Sequence, residues 1–351
     1  MQPGPSSAVP TLVVENLRTH FFTRAGVVKA VDGVDFTVGA GQVMGLVGES
    51  GSGKSMTGYS IIGLIDRPGR IVDGRVLLKG ADLRTFTPRQ LRSVRGNRIA
   101  MIFQDPMMTL NPVMRIDAQM IEAITAHRAV SRGAARERAR EALVRVGIAS
   151  PDERLAAYPH QFSGGMRQRV AIAIALLNEP DLIICDEPTT ALDVTIQGQI
   201  LYEMQKLCRE SGTALIWITH DLSVVAGLAD TVSVMYAGRI AESGPVAAVL
   251  ETPRHPYTAG LIASTPAAAT RRGHPRGEPL AQIPGMTPSL LRLPSGCAFR
   301  TRCSRATAIC ATDPPYQRYP DGSSLCCFHP LDRAAPVVTP VAALPDQGGA
   351  R

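Results

Sequence analysis

The feature that most constrains the fold of this chain is a glycine-rich run that ends in lysine and serine. Residues 48–55 read Gly-Glu-Ser-Gly-Ser-Gly-Lys-Ser, and the apolar run Val43–Val47 comes directly before them. Glycines let backbone N–H groups turn inward around an anion, and a helix beginning near Lys54 would add partial positive charge at the same place. The run is therefore predicted to be a phosphate-binding loop between a buried strand and a helix.

The residue types in this loop also predict how a nucleoside triphosphate would be held. We expect the ammonium group of Lys54 to reach the β- and γ-phosphates, and the hydroxyl of Ser55 to bind Mg²⁺. The predicted contacts to ATP in this stretch are Gly48, Glu49, Ser50, Gly51, Ser52, Gly53, Lys54, Ser55 and Met56. ATP and Mg²⁺ are thus the first cofactors that the sequence predicts.

Composition limits the classes of protein to which the chain can belong. It has 351 residues, 45% of them hydrophobic. No apolar run approaches the ~18 residues of a membrane span. The first ten residues lack the basic start and apolar stretch of a signal peptide, so we expect a cytosolic chain that forms no pore itself. The net charge is +7, but the arginines are scattered and not interleaved with aromatics, so no nucleic-acid partner is expected.

Strand-like and helix-like segments alternate along the chain, which predicts an α/β fold with a largely parallel sheet. A first strand is predicted over residues 11–18. Residues 27–38 are rich in strand-forming residues, with Asp32-Gly33 as a turn signal within them.

A block of helices is predicted to be inserted into this α/β core at about residues 105–165. One helix is expected over residues 116–129, and Ser131 is expected to cap the next. Ser150–Glu153 has the pattern of a capping box, with proline at the first helical position.

Composition changes again near residue 252, where Pro, Arg and Ala become frequent. We therefore expect a main domain over residues 11–252 and a small Cys-rich C-terminal region over residues 253–330. The ends of the chain, residues 1–10 and 331–351, are expected to be disordered because they contain too few apolar residues to bury.

A second part of the site follows the short apolar run Leu182–Cys185. That run is typical of a strand covered on both faces, and Asp186 and Glu187 come directly after it. Asp186 is expected to hold Mg²⁺, and Glu187 to orient and deprotonate the attacking water.

The stretch Phe162–Arg169 predicts a second anion site in the same chain. Ser163 can cap a helix while Gly164 and Gly165 leave its N–H groups accessible. Because one ATP has one γ-phosphate, two such sites in a chain are explained if two chains pack head to tail, each closing on the nucleotide of the other.

With these motifs in this order, the sequence resembles the ATPase subunits of ABC transporters, which have a P-loop NTPase fold. The resemblance implies that Gln104 contacts Mg²⁺ and senses the transmembrane partner, and that His220 touches the γ-phosphate. It also implies that Asp193, in the Ala-Leu-Asp loop, crosses the dimer interface at the nucleotide. Phe21 is expected to stack on adenine, with Phe22 as the alternative.

Three segments resemble one branch of that family, the oligopeptide/dipeptide importers. They are Gln161–Met166, Pro188–Thr195 and His255–Thr258, and the resemblance runs from about Leu12 to Pro330. It implies an ATPase that powers import of di- or oligopeptides, although importers of nickel, opines and glutathione belong to the same branch. A soluble ABC ATPase that acts on ribosomes or nucleic acid is the alternative of a different class, disfavoured because the chain has one cassette and no long coiled-coil insertion.

The resemblance also implies an assembly. A paralogous ATPase would complete a heterodimer, and two transmembrane permeases and an extracytoplasmic substrate-binding protein would join it. The chain would then lie at the cytoplasmic face of the inner membrane as a peripheral subunit.

The C-terminal region contains five of the seven cysteines. Their spacing lacks the tight pair that is usual in structural zinc sites, and four thiolates at wider spacing suit an iron–sulfur cluster better. Zinc, which would fit a nucleic-acid-binding module, and the absence of any metal remain alternatives. The resemblance implies a [4Fe–4S] cluster, with Cys326 or His329 as alternative fourth ligands. The expected ligands are Cys297, Cys303, Cys310 and Cys327.

Overall fold

The computed structural model describes residues 9–189, 194–265 and 281–331, and the chain forms two compact units. Within the described ranges, the first unit contains the residues up to Ile240 together with Met286–Leu293. The second contains Ala241–Gly285 and the residues from Pro294 onward. The predictions for Asp193 and for the two ends of the chain concern residues outside the described ranges.

The first unit combines strands and helices in an α/β fold, as the sequence predicts. The strands are β1 (Leu12–Thr23), β2 (Gly26–Val38), β3 (Val43–Val47), β4 (Gly69–Leu78), β5 (Ala81–Asp82), β6 (Ile99–Ile102), β7 (Leu182–Asp186), β8 (Ala214–Thr219) and β9 (Thr231–Tyr236). The helices are α1 (Lys54–Ile62), α2 (Pro88–Val94), α3 (Ile116–Thr125), α4 (Arg132–Arg145), α5 (Pro151–Ala156), α6 (Gly164–Leu176), α7 (Val194–Ser211) and α8 (Leu222–Leu228). Short 3₁₀ turns lie at Leu83–Thr85, Pro106–Met108 and Pro159–Gln161.

The centre of the first unit is a parallel sheet in the order β9-β3-β8-β7-β6. All residues of β3, β6, β7 and β8 are buried, as expected for largely apolar strands covered on both faces, and the polar residues Asp186 and Thr219 stand at the carboxyl ends of β7 and β8. Because side chains alternate between faces, Ile183 and Trp217 join one hydrophobic cluster while Ile184 and Ile218 join the other. Because the strands are parallel, their carboxyl ends lie along one edge of the sheet.

A second, antiparallel sheet has the order β2-β1-β4-β5. The predicted end of β1 at residue 18 is wrong, because β1 continues to Thr23 and pairs with β2 as far as Gly26. The interpretation of Asp32-Gly33 as a turn is also wrong, since β2 runs through it. Arg18 pairs with Asp32 while Leu17 pairs with Val34, so Gly33, at φ 82°, is the extra residue of a β-bulge.

The buried carboxylate of Asp32 lies at this bulge and pairs with two partly exposed arginines. The Asp32 carboxylate accepts hydrogen bonds from the guanidinium groups of Arg18 at 2.6 Å and Arg239 at 2.9 Å. Burial by itself would raise the pKa of Asp32, but Arg239, Lys29 and Arg18 together lower it below its ordinary value.

The helix caps agree with the sequence in two places and differ in one. The Ser131 hydroxyl accepts a hydrogen bond from the backbone of Ala134 at the start of α4, and the Ser163 hydroxyl accepts one from Met166 at the start of α6. The predicted capping box at Ser150 is wrong, because Ser150 has a left-handed backbone, at φ 50°, and no side-chain cap. Helix α3 ends at Thr125 and not at residue 129.

In the second unit, β10 (Arg239–Pro245) pairs through residues 242–243 with β12 (Ser324–Cys326), which also pairs with β11 (Tyr316–Arg318). The other elements are α9 (Val246–Glu251), α10 (Pro256–Ala263) and a 3₁₀ turn at Ala308–Ala311. None of the helices in either unit, as far as the chain is described, is long and apolar enough to cross a membrane.

The His-Pro-Tyr-Thr segment has a structural role at the start of α10. His255 Nδ1 accepts a hydrogen bond from the backbone of Tyr257 at 3.0 Å, so the imidazole caps the helix. Its ring packs near those of Tyr257 and Phe299. Burial lowers the pKa of His255 to about 4, so the imidazole is neutral at pH 7.

Candidate active site

The phosphate-binding loop lies between β3 and α1, as predicted, and two of its glycines are fixed by their neighbours. A Cβ atom on Gly48 would lie 2.2 Å from the carbonyl oxygen of Met235. A Cβ atom on Gly53 would lie 2.2 Å from that of Ala30. The backbone of both glycines is in the positive-φ region, at 153° and 105°. No larger residue fits at these positions without moving the main chain.

Lys54 is the buried cation of the loop, with 5% of its surface exposed. Its Nζ donates hydrogen bonds of 2.9 Å to the carbonyl oxygens of Gly48 and Glu49. Burial lowers the pKa of Lys54, whereas the nearby carboxylates of Glu187, Asp186 and Glu49 raise it. The ammonium group is therefore held within the loop, where an anion can be bound.

Ser55 and Asp186 come together as a pair of oxygen ligands. The Ser55 hydroxyl donates to Asp186 Oδ1 at 2.8 Å, and Asp186 is 2% exposed. Burial raises the pKa of Asp186 above its ordinary value. A bound cation would lower that pKa again, because it favours the ionised carboxylate. Hydroxyl and carboxylate oxygens are ligands that Mg²⁺ prefers, so this pair fits the expected ion.

The Glu187 side chain contacts two residues that follow neighbouring strands of the parallel sheet. Its Oε2 accepts from Gln104 Nε2 at 3.3 Å, and its Oε1 lies 3.2 Å from His220 Nδ1. These residues follow β6, β7 and β8. The structure thus gathers three side chains that are far apart in sequence. The Glu187 side chain is 18% exposed and that of His220 is 60% exposed, so this group is open to solvent.

The backbone of Glu187 is unusual. Its φ is 45°, in the left-handed region that residues other than glycine rarely adopt. Its N–H donates to the carbonyl oxygen of Ile218 at 2.9 Å, which ties the residue to β8 after its own strand has ended. This turn directs the carboxylate toward Gln104 and His220.

The predicted second anion site lies at a helix start where Ser163 and Gly164 are exposed and Gly165 and Met166 are partly buried. Ser163 caps α6 at the position that the sequence predicts, and Gly164 opens the helix. A Cβ atom on Gly164 would meet nothing within 4 Å. Packing among the residues that the structure describes therefore does not require glycine at this position.

The predicted adenine-stacking residues lie at the end of β1. Phe21 packs against Gly69, where a Cβ atom would lie 2.6 Å from the ring. Phe22 is 39% exposed, and the Arg70 guanidinium lies 4.2 Å from the centre of its ring. Met56, the third residue of α1, is partly buried against the hydrophobic cluster that contains Ile184 and Ile218.

Sequence reasoning missed one residue of this region. Thr287, far along the chain in a Pro-rich stretch, donates a hydrogen bond of 2.8 Å from its hydroxyl to Glu49 Oε2. No spacing or motif in the sequence connects the two positions.

Of the cysteines of the second unit, Cys310 and Cys327 are buried, and Cys297, Cys303 and Cys326 are partly buried. Burial raises the pKa of Cys297 and Cys303. Burial, together with the nearby thiols of Cys297, Cys303 and Cys310, raises the pKa of Cys327 to about 11. The backbone N–H of His329 donates to Cys327 Sγ at 3.3 Å. Among the described residues, however, no group of three or more His, Cys, Asp or Glu is placed to hold a metal ion.

Comparisons with known proteins agree with this geometry. Residues 31–190 match the family described as "ABC transporter", and residues 241–310 match "Oligopeptide/dipeptide transporter, C-terminal region". Among solved structures, a dimeric ATP-binding cassette in a post-hydrolysis state bound to ADP and Pi aligns with a TM-score of 0.61 and 26% identity. That alignment covers 67% of this chain and 98% of the other.

Curated relatives match over most of their length. The oligopeptide transport ATP-binding protein OppD of Salmonella typhimurium is 46% identical over 329 residues, which are 94% of this chain and 96% of the relative. A putative peptide import ATP-binding protein of Brucella abortus is 52% identical over 320 residues, which are 88% of this chain and 94% of the relative. The chain therefore belongs to the ABC transporter ATPase family, in the branch that carries the oligopeptide/dipeptide transporter C-terminal region.

Proposed function

We propose that this chain is the ATP-hydrolysing subunit of an importer of di- and oligopeptides. The observation that carries the proposal is the meeting of Gln104, Glu187 and His220 beside the phosphate loop. The matched C-terminal region and the peptide-import names of the relatives support peptides as the cargo, ahead of nickel, opines or glutathione.

Hydrolysis needs a base, an orienting group and positive charge, and the site has a residue for each. Glu187 takes the proton of the attacking water as general base. His220, 3.2 Å from Glu187, orients this carboxylate and faces the γ-phosphate. Lys54 offsets the negative charge of the β- and γ-phosphates once they replace the carbonyl oxygens that it contacts.

Ser55, Asp186 and Gln104 are the residues that would hold Mg²⁺. When bound, the ion neutralises charge on the phosphate oxygens. The hydroxyl of Ser55 and the carboxylate of Asp186 are already 2.8 Å apart, so the two ligands need little rearrangement.

The remaining proposed contacts are made to the adenine ring and to the phosphates of ATP. Phe21, or Phe22, would stack on adenine, while residues 48–56 surround the phosphates. In this proposal residues 11–252 form the ATPase domain, with its helical subdomain at about residues 105–165. Residues 253–330 form the C-terminal region.

The composite site would be completed by a second ATPase chain. Ser163, Gly164 and Gly165 would contact the γ-phosphate held by a paralogous partner, and Asp193 would lie at the interface. The open space around Gly164 supports this, because glycine there leaves room for a group from outside the chain. Two permeases and an extracytoplasmic binding protein would complete the complex, with this subunit attached peripherally at the cytoplasmic face of the inner membrane.

We also propose a [4Fe–4S] cluster on Cys297, Cys303, Cys310 and Cys327. Mutual proximity of the four thiols supports it, and so does the backbone N–H donated to the sulfur of Cys327. The irons and sulfides of a cluster separate its ligands more widely than a single ion does. A cluster is therefore compatible with a set of residues that would not enclose one ion. Cys327 is buried and lies under the electrostatic influence of the other three thiols, which makes it a better candidate than Cys326.

Reconstitution tests the proposal. The chain is co-purified with permeases and a second ATPase encoded beside it, placed in liposomes with the binding protein, and assayed for uptake of labelled di- and tripeptides. ATP-dependent peptide uptake that is lost with Glu187→Gln is expected. Uptake of nickel or an opine in place of peptides would overturn the cargo. Co-purification with RNA and not with permeases would overturn the transport role.

A further inference from the structure

We infer that Thr287 is a positioning residue of the ATP site, and that the segment Met286–Leu293 forms an outer wall of that site. The inference rests on the proposed nucleotide site and adds to it a contribution from the C-terminal half of the chain. The chain enters the second unit at Ala241, yet these eight residues belong to the first unit. They are flanked in sequence by residues of the second unit on both sides.

One end of this segment reaches the phosphate loop. The Thr287 hydroxyl donates to Glu49 Oε2 at 2.8 Å. Glu49 is the second residue of the loop, and its own carbonyl oxygen accepts a hydrogen bond from Lys54 Nζ. Thr287 is therefore linked to Lys54 through a single residue, Glu49.

The other end reaches the β1–β2 hairpin. The carbonyl oxygen of Leu290 lies 3.5 Å from the backbone nitrogen of Lys29. The Leu291 side chain lies 3.2 Å from the position of a Cβ atom on Gly26. The first strand of this hairpin carries Phe21, the proposed partner of adenine. The segment thus touches elements assigned to both ends of a bound nucleotide.

The charge of Glu49 explains why its position matters. Burial lowers the pKa of Lys54, and the Glu49 carboxylate is near enough to offset part of that effect, after Glu187 and Asp186. A carboxylate that turned toward the phosphates would repel them and would compete for the ammonium group. The hydrogen bond from Thr287 holds one of its oxygens in a fixed place. Removing that hydroxyl should therefore weaken ATP binding, and it should do so only while residue 49 is charged.

The test is a double-mutant cycle on the full chain, read as the affinity for a fluorescent ATP analogue and as the KM and kcat of the assembled ATPase. Thr287→Val keeps the shape and removes the donor. It is expected to weaken binding and raise KM by about tenfold, the size of one lost hydrogen bond to a charged group, with kcat unchanged. Thr287→Ser keeps the donor and should restore affinity. In the Glu49→Gln background, Thr287→Val should have no effect.

Thr252→Val is the matched control, because the hydroxyl of Thr252 bonds only the carbonyl oxygen of Ala248 in the contacts described for it. It should leave affinity unchanged. Equal affinities for Thr287→Val and the unmodified chain, or equal losses with and without the charge at Glu49, would overturn the inference. If Thr287→Val folds poorly, Thr287→Ala replaces it in the cycle, and its ATP affinity is measured with and without Glu49→Gln. Failure of the nucleotide site itself would appear separately, as a Lys54→Ala variant that binds ATP normally.

Discussion

Replacing Glu187 with glutamine should separate binding from hydrolysis. The amide has the size and shape of the carboxylate, so it can still meet Gln104 and His220, which lie at 3.3 and 3.2 Å. It cannot accept a proton at neutral pH. Loss of a general base costs about 10²–10⁴-fold in rate, or about 3–5 kcal/mol in the activation free energy.

ATP binding should persist in this variant. The groups proposed to contact the phosphates, Lys54 and the loop amides, are unchanged. Glu187→Gln also removes one negative charge beside the phosphates, so affinity should stay the same or increase. Phosphate release by the reconstituted complex and equilibrium binding of a fluorescent ATP analogue measure the two properties independently.

The matched control is Asp152→Asn, the same chemical change on an exposed residue whose carboxylate meets Arg136 at 3.4 Å. It should leave the rate of hydrolysis unchanged. Turnover of Glu187→Gln within a few fold of the unmodified complex would refute the assignment of the base. A parallel loss of ATP binding would show that Glu187 is needed to build the site, which the contacts described above do not predict.

Three further predictions follow from other parts of the chain. The purified chain alone should hydrolyse ATP slowly and gain activity with its partner ATPase, because the loop and the helix start at Ser163 would meet only between chains; full activity of a demonstrably monomeric sample would contradict this. Serine at Cys297 or Cys303 should remove iron and acid-labile sulfide from anaerobically purified protein while ATP binding persists, whereas stoichiometric zinc without sulfide would disprove the cluster. Between pH 6.5 and about 4 the unfolded chain protonates His255 and the folded chain does not, so the free energy of unfolding should fall by up to about 3 kcal/mol as the pH is lowered through this window. His255→Asn, which can still cap α10, should remove that part of the slope in chemical denaturation, and an unchanged slope would refute the neutral histidine.

The parts of the site that lie next to regular elements could be predicted from the sequence. The loop at residues 48–55 is local, and its residue types specify both the turn and the following helix. Asp186 and Glu187 follow an apolar strand, and parallel strands bring their carboxyl ends to one edge, so proximity to His220 after β8 was predictable.

Other features depend on contacts that no local pattern records. Asp32-Gly33 has the composition of a turn, yet the pairing of β1 with β2 makes it a bulge. Ser150 matches a capping pattern, but its left-handed backbone leaves it without a side-chain cap. The contact between Thr287 and Glu49 spans 238 positions and joins two residue types that are common on protein surfaces. Such pairs are set by tertiary packing alone.

The left-handed backbone of Glu187 implies a conflict between the stability of the folded protein and its proposed catalytic activity. A non-glycine residue in this region costs about 1–3 kcal/mol, against the ~5–15 kcal/mol by which a folded protein is stable. Glycine at this position would relieve that cost and abolish the chemistry. If Glu187 is the base proposed above, selection for heat resistance alone would favour the loss of its carboxylate, and selection for transport would keep it.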